Sequence, residues 1–152
     1  MNYTDLLIET TDKGLIVKEL PLTGSDGRIR NHNIGIRKDI DTSIQKKCVL
    51  AEEVGHFETT SGDIIDQHNI SNQKQELRAR LWAYDKLIGL TGIINAYKHG
   101  CTSLHEMAEF LEVTEEFLNE SLTAYRRRYG CFTKLDNYVI YFEPALGVLE
   151  MI

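Results

Sequence analysis

Glu52 and His56 are four residues apart, with Glu53 beside them. On a helix, side chains at i and i+4 project from the same side, so these two donors can grip one metal ion. In an HExxH arrangement the middle glutamate takes a proton from water activated by that ion. Here the order is Glu-Glu-x-x-His, with a carboxylate in place of the first histidine. Alone, these letters recur on solvated helices and carry little. Their setting carries more. They lie in Cys48-Val49-Leu50-Ala51-Glu52-Glu53-Val54-Gly55-His56, and a plain core helix does not normally set three ionisable groups beside such an apolar stripe. Gly55 is a poor helix former, which points to close packing at that position.

The elements that must position these groups follow from periodicity and punctuation. Asn2–Glu9 reads as a short helix broken by Gly14, and Leu15–Leu20 as a strand ended by Pro21 and the turn Gly24-Ser25-Asp26-Gly27. Arg28–Ile36 reads as a second strand. Asp41, Thr42 and Ser43 are N-cap candidates for a helix from Ile44, whose expected buried face is Ile44, Cys48, Ala51 and Gly55. Ser71-Asn72 caps a long helix, Gln73 to about Ile88, with Leu77, Leu81, Trp82, Tyr84, Leu87 and Ile88 as apolar residues. A shorter helix, Ile93–His99, ends at Gly100. Ser103 with Glu106 forms a capping box, and Thr114 caps the next helix. Tyr138–Phe142 and Val148–Met151 suggest a terminal hairpin.

The chain has 152 residues and a formal net charge of -6. That size suits one domain with a small appendage, and the charge argues against binding driven by phosphate backbones. Cys48, Cys101 and Cys131 are odd in number and lack CxxC spacing, so reduced thiols in a bacterial cytoplasm are the simplest reading. The acidic start lacks the features of a signal peptide, and no run is apolar for long enough to span a membrane.

Leu50-Ala51-Glu52-Glu53-Val54-Gly55-His56 resembles the LAHELGH segment of the ImmA/IrrE family of metallopeptidases, above all a phage-encoded branch whose first histidine is commonly glutamate. That family carries a downstream helix patterned E-x-x-A-x-x-aromatic-A, and this chain offers Glu76-Leu77-Arg78-Ala79-Arg80-Leu81-Trp82-Ala83. The resemblance runs from Met1 to about Gly130. It implies an α+β, zincin-like fold: a small antiparallel sheet, a pair of metal-site helices and a helical, helix-turn-helix-like subdomain. Residues 1–90 would be the metallopeptidase core, 91–130 the helical subdomain and 131–152 the hairpin. By position, His56 and Glu76 are implied as metal ligands and Glu53 as the general base. Glu52 occupies the place of the missing histidine, where it can bind as a carboxylate ligand or stay off the metal. The implied activity is metal-dependent endopeptidase cleavage of a cognate helix-turn-helix repressor protein on a phage or mobile element. The alternative is an inactive zincin-like protein that binds the repressor stoichiometrically.

The cofactor expected is a divalent metal, zinc, with manganese as the alternative. A His-His-Glu set leaves a divalent ion at +1 and Glu-His-Glu leaves it neutral, so water and carbonyl are polarised less and harder metals gain. Arg78 and Arg80 are candidate compensating cations, and Tyr84 is a candidate oxyanion donor. Asp66 and His68 are read as loop residues, with His68 the substitute ligand if Glu52 does not bind, and Asp63 can cap a helix or orient His56. His32, His99 and His105 suit surface or capping roles, and Cys48 a core role.

Leu104–Tyr129 resembles a helix-turn-helix, yet Glu106, Glu109, Glu112, Glu115, Glu116 and Glu120 dominate it. Glu115 and Glu116 at the start of the would-be recognition helix repel phosphates. Arg126-Arg127-Arg128 lies at the helix C-terminus, where cations suit the dipole. The segment therefore reads as a packing or partner-docking unit rather than a DNA reader.

Overall fold

The computed structural model describes residues 1–60 and 72–152. The chain forms two compact units, Met1–Lys86 and Leu87–Ile152. The fold is α+β and zincin-like. Among the described residues, no helix is long and apolar enough to cross a membrane.

The first unit begins with α1 (Tyr3–Asp12), whose Asn2 cap and Asp5 satisfy each other's backbone N–H in a capping box. Strands β1 (Ile16–Leu20), β2 (Gly27–Arg30) and β3 (Asn33–Arg37) follow. The expected single strand Arg28–Ile36 is thus two strands. Asn31, at φ +56° in the left-handed region that asparagine tolerates, turns the chain between them. The order is β1-β3-β2, with β1 parallel and β2 antiparallel to β3, so this sheet is mixed rather than purely antiparallel.

Helix α2 (Ser43–Thr60) packs on α1, β2 and β3. Of its three cap candidates, Thr42 does the work, accepting the Gln45 N–H at 3.1 Å. Its buried face is Lys47, Cys48, Leu50, Ala51, Val54 and Gly55. Ile44, expected inside, is 39% exposed because it lies in the first turn. Lys47 was not foreseen as a core residue; its aliphatic stem is buried and its ammonium donates to the Met1 carbonyl at 3.0 Å.

Helix α3 (Asn72–Leu87) buries Ala79, Ala83 and Tyr84, while Leu77 is exposed. The expected apolar face of large residues gives way to small ones because the backbones of α2 and α3 come close. A Cβ built on Gly55 would lie 2.3 Å from the Ala79 carbonyl oxygen. Ser71, the other proposed cap of α3, lies outside the described residues.

The second unit holds α4 (Gly89–His99), α5 (Leu104–Leu111), α6 (Glu115–Tyr129) and strands β4 (Phe132–Leu135), β5 (Tyr138–Tyr141) and β6 (Gly147–Glu150). Gly100, at φ +94°, takes the left-handed cap of α4. Ser103 accepts the Glu106 N–H, while Glu106 reaches back to Thr102 rather than to Ser103, and Thr114 accepts the Phe117 N–H. The terminal hairpin is present as β5-β6, but β4 pairs along the other side of β5 and makes a three-stranded antiparallel sheet.

The tight helix contact is testable. Gly55→Ala is expected to cost about 1–3 kcal/mol, the usual range for overpacking, in urea unfolding. Gly92→Ala, whose new methyl meets only side-chain ends, Leu111 Cδ2 at 3.3 Å and Ile88 Cγ2 at 3.6 Å, is expected to be tolerated. Equal stabilities for wild type and Gly55→Ala would refute the close approach.

Candidate metal site

Helix α2 presents Glu52, Glu53 and His56, and α3 presents Glu76 and Arg80. The Gly55–Ala79 contact sets their register. His56 follows Gly55 directly, and Glu76 lies about one turn before Ala79 on the same side of its helix. The two meet with His56 Nε2 3.1 Å from Glu76 Oε2. The other oxygen of Glu76 faces Arg80, at 3.3 Å from Nε. Of the two compensating cations suggested by sequence, Arg80 therefore reaches the site. Arg78 is exposed and forms no ion pair among the described residues.

Glu53 is partly buried and faces the start of β2. A Cβ on Gly27 would lie 3.0 Å from Glu53 Cγ and Oε1, and 2.7 Å from Val49 Cγ1. Only glycine lets the strand lie this close to the carboxylate. By local pattern Gly27 belongs to a turn; its role follows from a contact across the unit that no local pattern encodes. Burial, then the charges of Glu52 and Glu76, raise the Glu53 carboxyl from its ordinary 4.5 to about 7. The three carboxylates are thus close enough to feel one another.

Imidazole nitrogen and carboxylate oxygen suit a divalent transition metal, and His56 with Glu76 brings one of each together. Among the described residues, however, no group of three or more histidine, cysteine, aspartate or glutamate side chains gathers into a metal-holding cluster. Glu52 stands beside the pair without completing it. Asp63, Asp66 and His68 lie outside the described residues.

Tyr84 is buried at 3% exposure in the packed face of α3, so it does not front an open surface as an oxyanion donor would. Cys48 is a buried thiol of α2. His32 meets the edge of Phe57, His99 stacks on Phe110, and His105 bridges Glu109 and Glu115 on the exterior of the second unit.

The raised carboxyl has a consequence for stability in the metal-free protein. The folded state holds the Glu53 proton more tightly than the unfolded chain. The favourable contribution is therefore complete below about pH 4.5 and is lost as pH rises through about 7. Unfolding free energies of metal-free protein are expected to fall over this window by on the order of 1–2 kcal/mol after allowance for solvent screening. Glu53→Gln is expected to flatten that decline; an equally steep decline in the variant would assign it to other groups.

Comparison with protein families matches residues 10–123 to the IrrE N-terminal-like domain. No curated protein matches the chain. The matched span contains both site helices and accounts for most of the chain, and peptidases of this family are generally metal-dependent. The chain belongs to the ImmA/IrrE family of metallopeptidases.

Proposed function

We propose that this protein is a metal-dependent endopeptidase in which His56 and Glu76 hold a divalent ion, Glu52 supplies the further donor and Glu53 is the general base. The observation that carries this reading is the approach of His56 to Glu76 beside a partly buried Glu53. A divalent ion in this donor set supplies Lewis acidity to the peptide carbonyl and to water, and its charge favours the ionised form of Glu53. The Glu53 carboxylate takes the proton of the attacking water on one oxygen and delivers it to the departing amide nitrogen. Gly27, by admitting the strand so close, shields that carboxylate from bulk solvent. Arg80 fixes the Glu76 oxygen that faces away from His56 and limits its rotation.

Zinc is the metal proposed, with manganese favoured to the extent that oxygen donors dominate. The substrate proposed is a helix-turn-helix repressor protein of the same phage or mobile element, in the cytoplasm. A second reading, stoichiometric repressor binding without cleavage, is favoured by Glu52 itself. A carboxylate in place of histidine removes the residual positive charge of the metal centre. DNA reading by α5 and α6 has the opposite electrostatics, since Glu115 and Glu116 open α6.

Elemental analysis of protein purified without a metal-binding tag tests the proposal. Near-stoichiometric metal is expected in wild type and Glu53→Gln, and its loss in His56→Ala. Cleavage of the neighbouring repressor is expected to fall by roughly 10²–10⁴-fold in Glu53→Gln, the usual worth of a general base. Wild-type protein that takes up no zinc or manganese on reconstitution would leave the binding reading in its place. Glu52→His restores a +1 centre and is expected to raise metal affinity and turnover together; unchanged values would show that Glu52 stays off the metal.

A further inference from the structure

The sheet of the first unit has two unlike faces. Gly27 on β2 faces α2, and alternation turns Arg28 and Arg30 to the other side. Register places Lys18, Gly35 and Arg28 on one rung across β1, β3 and β2, and Ile16, Asn33 and Arg30 on the next. These residues, with Leu20 and Leu22, line a shallow groove. Lys18, Arg28 and Arg30 are exposed, as are Ile16 and Leu20. Gly35 leaves the floor without a side chain, and Leu20 leans over it, 3.1 Å from where a Cβ would stand.

Five other cations of the unit have carboxylate partners: Lys13 with Glu58, Lys46 with Glu19, Arg37 with Asp26, Arg80 with Glu76 and Lys86 with Glu9, while Lys38 and Arg78 have none among the described residues. Lys18, Arg28 and Arg30 form no ion pair with a carboxylate among the described residues. Three cations left together on one sheet face, in a protein of net charge -6, repel one another with no internal compensation.

We propose that this face is an exosite that binds an extended acidic segment of the protein substrate, away from Glu53 and on the opposite side of the sheet. Arg28 and Arg30 are spaced by two residues of strand, about 6–7 Å. That spacing equals the repeat of alternate side chains in an extended peptide, so carboxylates at alternate positions meet both guanidiniums. Ile16, Leu20 and Leu22 flank the cations and give the aliphatic stems of side chains on that same face of the peptide a place to rest. A nucleic acid would supply the charge, but the groove has no aromatic ring on which a base could stack. The role as a substrate exosite rests on the peptidase reading; the binding itself does not require hydrolysis.

The test is fluorescence anisotropy with a short labelled peptide alternating glutamate and valine, its lysine-valine counterpart, and a single-stranded oligonucleotide. It uses full-length protein carrying Glu53→Gln, so that binding is read without cleavage. The acidic peptide is expected to bind, more weakly at higher salt, and the lysine peptide not to bind. Arg28→Glu with Arg30→Glu is expected to weaken binding by roughly tenfold or more, with circular dichroism and melting temperature unchanged. Arg127→Glu, a single charge reversal in the second unit, is expected to leave binding intact. Acidic-peptide binding that survives the double reversal, or that Arg127→Glu weakens equally, overturns the exosite. So does tighter binding of the oligonucleotide than of the acidic peptide. Metal content fails or succeeds separately, so loss of the peptidase reading and loss of the exosite are distinguishable.

Discussion

The site depends on one steric fact: the Ala79 carbonyl occupies the space where a side chain on Gly55 would begin. Two helices that carry large residues at their contact keep their axes about 8–10 Å apart. Glycine against alanine lets the backbones approach, and the side chains of His56 and Glu76 then meet across the gap. The contact also dictates which residues meet. One step along α2 from Gly55 and one turn back along α3 from Ala79 lead to the histidine and the carboxylate. Arg80, the next residue after Ala79, joins them through the far oxygen of Glu76.

Against that packing stands an electrostatic cost. Glu52, Glu53 and Glu76 lie near one another, and Glu53 is partly withdrawn from water, which is why its carboxyl retains a proton to about pH 7. A fold selected for stability alone would not leave a partly buried carboxyl under the charge of two others. Arg80 offsets part of the charge. The chain's family is one of generally metal-dependent peptidases.

Strand β2 links the two surfaces of the first unit. Its pleat sends Gly27 inward against Glu53 and sends Arg28 and Arg30 outward beside Lys18. The absence of a side chain on one face and the presence on the other of cations with no carboxylate partner among the described residues are consequences of the same alternation. The second unit is organised differently, through helix caps at Ser103 and Thr114 and the left-handed Gly100, with its acidic α5 and α6 terminating in the basic turn Arg126–Arg128.

What was local was legible in the sequence. The donors at i and i+4, the caps at Thr42, Ser103 and Thr114, the breaks at Gly14 and Gly100 and the two-helix resemblance all depend on residues a few positions apart, where side-chain direction and backbone hydrogen bonds are dictated by the chain itself. The sequence also determined that Gly55 must be tightly packed, since a helix bears its low propensity only for a reason. It did not reveal what Gly55 packs against. That, with Gly27 beside Glu53, the splitting of Arg28–Ile36 into two strands, the parallel pairing of β1 with β3, the burial of Lys47 and the choice of Arg80 over Arg78, was decided by tertiary structure. Each arises from contact between segments distant along the chain, and periodicity reports which face of an element is buried without reporting which neighbour buries it.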